Sequence, residues 1–275
     1  MRTATNLSHA LVDARWLAEH LSDPSVRVVE VDVTRAAYDR WHITGAVLWN
    51  IYQDVKDAGY HTVGIPALAQ LIGRSGISRA STVVLYGYAP AMGFWLMKLL
   101  GHRDARILDC SRDAWRADGH SISTSPGEPA PVEYAVHTVD ESIRAGRDRV
   151  AQALDAQGTV LLDVRSAAEY RGERFWPSGA MDPTGRAGHV PSAINAPLEG
   201  ILDERGSFRS THELREVLAS GDLDGDAELI TYCTIGGRAC TAWFVLTQLL
   251  GRDGVRVYDG SWAEWGRLPG APVES

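Results

Sequence analysis

The sequence predicts an α/β protein with two similar domains, each a mainly parallel sheet flanked by helices. Short apolar runs alternate with amphipathic segments, a pattern typical of a parallel sheet covered by helices. A long segment of the first half of the chain is matched by one in the second half. The length of 275 residues suits one large domain or two of ordinary size, and the internal match favours two.

The internal match is long and keeps a constant spacing. Four identical pairs lie 150 positions apart in the segments 82–115 and 228–265: Phe94 and Phe244, Gly101 and Gly251, Asp109 and Asp259, Trp115 and Trp265. Upstream, residues 28–33 correspond to 160–165, and residues 42–50 correspond to 189–197. This repeat indicates two copies of one domain, because the units of a solenoid run to only about 20–50 residues.

The two copies set the expected domain boundaries. The first domain is predicted over residues 8–120 and the second over residues 143–270. Between them, the segment 121–142 begins with a run rich in Pro, Gly and Ser, which is typical of a linker. In sheets of this kind ligands lie beyond the carboxyl ends of the strands, so the site is expected there.

Cys233 lies at such a strand end. The residues before it, Leu229–Tyr232, are apolar, β-branched or aromatic, which indicates a buried strand. After Arg238 the apolar residues have the spacing of a helix. The sequence therefore predicts a strand, then a tight loop that contains Gly236 and Gly237, then the amino terminus of a helix.

This placement suits a nucleophilic sulfur at Cys233. The N–H groups of a glycine loop and the positive end of a helix both stabilise an anion, and the thiolate is the reactive form of cysteine. Gly236 and Gly237 are expected to adopt positive φ angles that turn successive N–H groups inward. The alternative is that Cys233 is a small residue of the core, as most free cysteines are. The combination of strand, loop and helix favours the nucleophile.

The two copies differ where the chemistry is expected. Gly87 stands opposite Cys233, and the loop of the first copy is four residues shorter before the shared phenylalanine. The second copy also has an insertion that contains three arginines, Arg171, Arg174 and Arg186, and this insertion is placed to overhang the site. We therefore predict that the second domain is catalytic and that the first is a non-catalytic scaffold.

Composition and charge argue against several classes of function. A net charge of −8 disfavours a nucleic-acid partner or an anionic membrane surface. Three cysteines are an odd number for a disulfide framework, and nine histidines show no metal-ligand spacing, so no metal site is predicted. The segment 1–16 has no apolar leader, and no apolar stretch is long enough to span a bilayer. A soluble cytoplasmic protein is expected.

Four stretches of the second half resemble the tandem-domain rhodaneses, the thiosulfate and 3-mercaptopyruvate sulfurtransferases. They are LLDVRSAAEYRG, GHVPSAINAP, YCTIGGRA and VYDGSWAEW, and the resemblance extends over roughly residues 8–270. The resemblance implies two α/β domains with the active-site loop in the second. It also implies a persulfide of Cys233 as the reaction intermediate.

The same resemblance implies a reaction and its partners. The Cys233 thiolate attacks the sulfane sulfur of thiosulfate, and cyanide, a thiol or a protein acceptor then takes the sulfur, with no metal and no organic cofactor. The residues expected to bind the substrate are Thr234, Ile235, Gly236, Gly237, Arg238 and Arg186.

Two departures from the family pattern bear on the sulfur donor. Animal enzymes have a substrate-holding arginine where this chain has Glu169, and the loop usual in mercaptopyruvate-type enzymes is absent. Arg238 resembles the loop arginine of bacterial thiosulfate-type enzymes. A carboxylate that faces the pocket would disfavour a carboxylate-bearing donor. We therefore predict thiosulfate as the donor, with 3-mercaptopyruvate as the alternative.

Two further functions stay open. Cysteine-dependent phosphatases have five residues between the cysteine and the arginine, whereas Thr234–Gly237 provides four, which suits a single sulfur atom better than a phosphate. The other function is a dedicated delivery protein that passes sulfur from Cys233 to a biosynthetic partner. Turnover of cyanide distinguishes a sulfurtransferase from a delivery protein, and turnover of p-nitrophenyl phosphate tests for a phosphatase.

Several charged residues near the predicted loop have two interpretations. Arg238 either completes the anion site or ties the loop to a carboxylate. Arg186 is either a substrate anchor or a solvated arginine of an exposed insertion. Asp163 and Arg165, at a strand end, are predicted to form a structural pair.

The remaining candidates are expected to be structural. Cys240, seven residues beyond Cys233, is predicted to face the core from the helix. His189 is predicted to make hydrogen bonds rather than act as a base. Trp262 and Trp265 either line the pocket or belong to the core.

Overall fold

The computed structural model describes residues 9–219 and 225–275. The predicted start of the first domain at Ser8, and half of the segment 1–16 that was considered as a leader, lie outside the described residues. The chain divides into two compact units. The amino-terminal unit takes its residues from the segment that ends at Asp57, from Val63–Asp140 and from Leu202–Phe208. The carboxy-terminal unit takes Ala58–Thr62, Glu141–Ile201 and Arg209–Ser275.

The amino-terminal unit contains one parallel sheet of five strands, with the order β1-β6-β5-β2-β4. The strands of this unit are β1 Leu11–Val12, β2 Val26–Asp32, β3 His42–Ile43, β4 Val47–Asn50, β5 Thr82–Gly87, β6 Ala105–Leu108 and β7 Ile122–Ser123. A short antiparallel pair, β3 with β7, brings part of the predicted linker segment onto this unit.

Helices follow the strands of the amino-terminal unit, as the alternating pattern predicts. They are α1 Ala14–His20, α2 Ala36–Arg40, α3 Ile65–Arg74, α4 Pro90–Leu99 and α5 Arg112–Ala117, with a π-helical turn at Ile51–Val55. The helix α4 is buried along nearly its whole length, which its apolar sequence explains.

The carboxy-terminal unit repeats this architecture, with the strand order β10-β9-β11-β12-β8 and only parallel pairs. Its strands are β8 Arg144–Ala145, β9 Thr159–Asp163, β10 Ile194–Asn195, β11 Glu228–Tyr232 and β12 Val255–Tyr258. Its helices are α6 Arg147–Ala153, α7 Ala167–Tyr170, α8 Thr211–Val217, α9 Gly237–Phe244 and α10 Ser261–Trp265, with a 3₁₀ turn at Glu141–Ile143 and a π-helical turn at Val245–Leu249.

The repeat extends to individual hydrogen bonds. The hydroxyl of Tyr86 on β5 accepts from the Ile43 N–H at 3.0 Å, and that of Tyr232 on β11 accepts from the Val190 N–H at 3.1 Å. Both tyrosines are buried. The predicted fold class, two tandem domains that each contain a parallel sheet flanked by helices, is therefore confirmed.

The core of the carboxy-terminal unit lies between its sheet and the flanking helices. Ile230 and Tyr232 of β11 pack in one cluster with Phe175, Trp262 and Trp265. Both tryptophans are buried, so the core interpretation of Trp262 and Trp265 is correct. Over the part of the chain that the structure describes, the helices are too short or too polar for any of them to cross a bilayer.

Candidate active site

Cys233 follows the last residue of β11, as the sequence predicts, and only 2% of it is exposed. The loop then turns at Gly236, whose φ of +96° lies in the left-handed region that favours glycine. This turn directs the Gly236 N–H at the Cys233 sulfur, with 3.1 Å between N and Sγ. The expectation of a positive φ is wrong for Gly237, which instead begins the helix α9.

The backbone of Cys233 is held by the segment that begins α10. The Cys233 N–H donates to the Ser261 hydroxyl at 3.1 Å, and the Trp262 N–H donates to the Cys233 carbonyl at 2.9 Å. The Ala263 N–H donates to the Thr234 carbonyl at 2.9 Å. Because these partners come from the end of the neighbouring strand β12, two adjacent strand ends together fix the position of the cysteine.

A buried carboxylate, Glu169, braces the other side of the loop. Its two oxygens accept from the two terminal nitrogens of Arg238 at 2.7 and 2.8 Å, a bidentate pair. The Thr234 hydroxyl also donates to Glu169, at 2.9 Å. Glu169 lies in the first turn of α7, forms a capping box with Ser166 and is 1% exposed. Of the two interpretations of Arg238, the contacts favour the one in which it ties the loop to a carboxylate.

The charge state of Glu169 follows from these contacts. Burial raises the pKa of a carboxyl group, but the hydrogen bonds and charge of Arg238, with hydrogen bonds from Ser166 and Thr234, outweigh burial and lower the pKa of Glu169 to about 2. Glu169 is therefore ionised at neutral pH. Its charge is matched by that of Arg238.

Arg186 lies against the carboxyl end of α10. Its guanidinium donates to the carbonyls of Leu268 at 2.8 Å, Ala271 at 2.5 Å and Gly266 at 3.3 Å. These contacts attach the insertion to the last residues of the chain. They favour a structural role for Arg186 over the predicted anchoring of a substrate.

The insertion reaches the loop region through another of its arginines. Arg174 donates to the Ser166 hydroxyl at 2.8 Å, and Ser166 in turn donates to Glu169 at 2.8 Å. Arg171, by contrast, pairs with Glu173 at the surface. The insertion is thus connected to Glu169 through Arg174 and Ser166.

The predicted pair of Asp163 and Arg165 is confirmed. Both side chains are fully buried, and their closest contact is 2.6 Å. Arg165 also donates to the Gly188 carbonyl and lies 4.7 Å from the ring centroid of Trp262, which explains how its charge is accommodated in the interior. His189 bonds to the Tyr170 carbonyl at 2.9 Å and stacks on its ring, so the prediction of a hydrogen-bonded histidine is confirmed.

The other two cysteines lie in different environments. Cys240 is fully buried on α9, as predicted. Burial, together with the charges of Asp109 and Asp118, raises the pKa of Cys110 to about 11. Cys110 is therefore a thiol at neutral pH and a poor nucleophile. Within the described ranges, no three His, Cys, Asp or Glu side chains are grouped as metal ligands would be.

Ser261 is the residue of this site that sequence reasoning missed. It lies in the stretch VYDGSWAEW, which draws attention to its tryptophans. The contact between Ser261 and Cys233 spans 28 positions, and that between Arg238 and Glu169 spans 69. Local sequence patterns do not indicate contacts between residues so far apart. The contact between Ser261 and Cys233 could have been expected, because both residues follow adjacent strands of a parallel sheet.

A family model, the rhodanese-like domain, matches residues 13–118 and 147–268. The chain belongs to this family. Its resemblance to the tandem-domain rhodaneses is thereby confirmed, with one match in each half of the chain.

Curated relatives agree over nearly the whole length. A Mycobacterium tuberculosis protein provisionally named a thiosulfate sulfurtransferase is 39% identical over 270 residues, which covers 96% of this chain and 97% of the relative. The sulfur carrier protein TtuD of Thermus thermophilus is 40% identical over 273 residues, covering 96% and 95%. These names place the chain among the sulfur-transferring members of the family.

A solved structure gives a similar result at lower identity. One structure of EanB, with a cysteine persulfide in a tetrahedral intermediate state with ergothioneine, superposes with a TM-score of 0.87 at 25% identity. The match covers 97% of this chain and 70% of EanB. A structure described as the anaerobic ergothioneine biosynthesis enzyme of Chlorobium limicola, with trimethyl histidine, has a TM-score of 0.86 and the same identity.

Proposed function

We propose that the protein is a sulfurtransferase that moves the sulfane sulfur of thiosulfate to a thiophilic acceptor through a persulfide on Cys233. The observation that supports this most directly is the 3.1 Å contact from the Gly236 N–H to the Cys233 sulfur at a helix amino terminus. A donor at this position stabilises negative charge on sulfur, which is what both the thiolate and the persulfide require.

The reaction balances with these groups alone. The Cys233 thiolate attacks the outer sulfur of thiosulfate, the S–S bond of the donor breaks with its electron pair going to sulfite, and Cys233–S–S⁻ remains. Cyanide, or the thiolate of a small thiol or of a protein, then attacks the outer sulfur and restores the Cys233 thiolate. No proton needs to be moved in either half of the reaction.

We propose that the backbone of Thr234, Ile235, Gly236, Gly237 and Arg238 binds the anionic donor. Amide N–H groups at the start of α9 supply the positive end of a helix. In this proposal the Arg238 guanidinium keeps the loop in shape through Glu169, and Arg186 stabilises the end of α10.

We propose thiosulfate as the donor because of the small size of the loop and because of the names of the relatives. Cys233 is almost fully buried, and a loop of four residues before Arg238 suits a small donor. The match to a relative named for thiosulfate covers 96% of this chain. The sulfur carrier TtuD, at comparable identity, supports a protein thiol as a second class of acceptor.

The test is intact-protein mass spectrometry after incubation with thiosulfate. The wild-type protein is expected to gain about 32 Da, one sulfur atom, and to lose it on addition of cyanide with release of thiocyanate. Cys233→Ser is expected to gain nothing, whereas Cys110→Ser and Cys240→Ser are expected to load normally. A gain that survives in Cys233→Ser would refute the assignment, and turnover of p-nitrophenyl phosphate would favour a phosphatase.

A further inference from the structure

Ser261 has an unusual backbone conformation beside Cys233. Its φ is +52°, in the left-handed region that costs free energy for any residue with a side chain. Ser261 is also fully buried. Strain of this kind persists only where the surrounding structure holds it, and it is concentrated at functional sites.

The hydroxyl of Ser261 both accepts and donates a hydrogen bond. Its oxygen accepts from the Cys233 N–H at 3.1 Å, and its proton is donated to the Tyr258 carbonyl at 2.8 Å. No proton is left for the sulfur, so any effect of Ser261 on the reaction must pass through the backbone of Cys233.

The internal repeat provides a comparison within the same chain. Ser111 stands 150 positions before Ser261, in the register of the matched aspartates and tryptophans. Ser111 has an ordinary φ of −71°, and its hydroxyl caps α5 by accepting from the Ala114 N–H at 3.1 Å. The hydroxyl of Ser261 instead accepts from the N–H of Cys233. The change occurs in the unit that has the cysteine.

We propose that Ser261 is a positioning residue that sets the orientation of the Cys233 sulfur for sulfur transfer; this inference rests on the proposed function. Ser261 and Trp262 hold the N–H and the carbonyl of Cys233, two fixed points on either side of its Cα. With these two hydrogen bonds in place, the sulfur of Cys233 faces the Gly236 N–H. Without the hydroxyl, a buried N–H loses its partner, and the backbone must move to satisfy it.

The test compares Ser261→Ala with Ser261→Gly. Both remove the hydroxyl, but glycine accepts the left-handed conformation, so the melting temperature of Ser261→Gly should recover toward that of wild type. Single-turnover loading by thiosulfate is expected to slow about ten- to a hundredfold in both variants, as misplaced reacting groups do. The half-saturating thiosulfate concentration should stay within about twofold, because the loop N–H groups that bind the donor are unchanged.

Ser111→Ala is the matched control. It removes the capping bond of the equivalent serine, so its melting temperature should fall while loading of Cys233 proceeds at the wild-type rate. Wild-type loading in Ser261→Gly would overturn the proposal, because it would show that only the backbone conformation matters. Wild-type loading in Ser261→Ala would overturn it as well.

Alkylation of Cys233 by iodoacetamide separates this inference from the proposed function. Alkylation depends on the orientation and ionisation of the sulfur and needs no thiosulfate, and it is expected to slow about tenfold in both Ser261 variants. If wild type fails to load from thiosulfate but the variants are alkylated slowly, the proposed function is wrong and the positioning role stands. Unchanged alkylation in both variants would refute the positioning role.

Discussion

The buried carboxylate of Glu169 and the partly exposed guanidinium of Arg238 form one ion pair beside the loop. An arginine beside a reactive cysteine suggests a direct contact with an anionic donor. Here both terminal nitrogens of Arg238 are bound to Glu169, and Thr234 of the loop is bound to the same carboxylate. The Cys233 sulfur itself accepts from the backbone N–H of Gly236. Arg238 is joined to the loop through Glu169 and through the Thr234 hydroxyl, to which it donates at 2.8 Å.

We predict that Glu169→Gln lowers the free energy of unfolding at pH 7 by about 2–4 kcal/mol, because Arg238 then loses a buried charged partner. The folded-state pKa of Glu169, about 2, lies below its ordinary value of 4.5. The stabilisation is therefore fully present above about pH 4.5 and is lost as the pH falls toward 2. Denaturant melts of wild type and variant should differ most at neutral pH and converge in acid.

Glu213 offers a matched control for this prediction. It occupies the same position in a capping box, with Ser210 and Arg209 as partners, but 45% of its side chain is exposed. Glu213→Gln removes a similar set of hydrogen bonds at the surface and should change stability far less. Equal losses in the two variants would mean that the capping box, and not the buried pair with Arg238, accounts for the effect.

At the scale of elements, the loop between β11 and α9 depends on one backbone conformation. We predict that Gly236→Ala abolishes loading of Cys233 and lowers the free energy of unfolding by about 1–2 kcal/mol. A Cβ opposes the φ of +96°, and relaxation of the turn moves the N–H away from the sulfur. Mass spectrometry after thiosulfate treatment, with a denaturant melt of the same sample, measures both effects.

The control for this change is Gly251→Ala. Gly251 also has a positive φ, +71°, and a Cβ there would meet nothing within 4 Å. The variant should lose comparable stability but load sulfur at the wild-type rate. If Gly251→Ala also fails to load, the loss in Gly236→Ala reflects general destabilisation and not the geometry of the loop.

The elements themselves were predictable because their signals are local. The apolar run that forms β11 and the helical spacing of α9 both lie within a few residues of Cys233. The brace from Glu169 and the contact from Ser261 depend on packing between segments far apart in sequence. The carboxylate at position 169 could be read from the sequence, but only the fold shows that it faces Arg238. The sequence argument about the donor was conditional on the carboxylate facing the pocket, and the contacts of Glu169 are with Arg238, Thr234 and Ser166.

At the scale of the whole molecule, the repeat allows equivalent strand ends of two similar units to be compared. Their sheets have the same order of strands, and equivalent tyrosines accept equivalent hydrogen bonds. The difference lies at the carboxyl ends of the strands. Where the second unit has Trp262, the first has Arg112, which pairs with the buried Glu30 at 2.8 Å. Burial raises the pKa of Glu30, and Arg112 partly opposes that rise.

We predict that a cysteine placed at the equivalent position of the first unit cannot take up sulfur. Gly87 has a φ of +108°, and a Cβ there would lie 2.9 Å from the Val31 carbonyl oxygen and 3.0 Å from a side-chain carbon of Glu30. The helix that follows begins at Pro90, which has no N–H to offer a sulfur anion. The double variant Gly87→Cys with Cys233→Ser should therefore gain no mass from thiosulfate. Gly87→Cys alone, which retains Cys233, should gain one sulfur atom if it folds, and a gain of two would show that the loop of the second unit is not required for transfer.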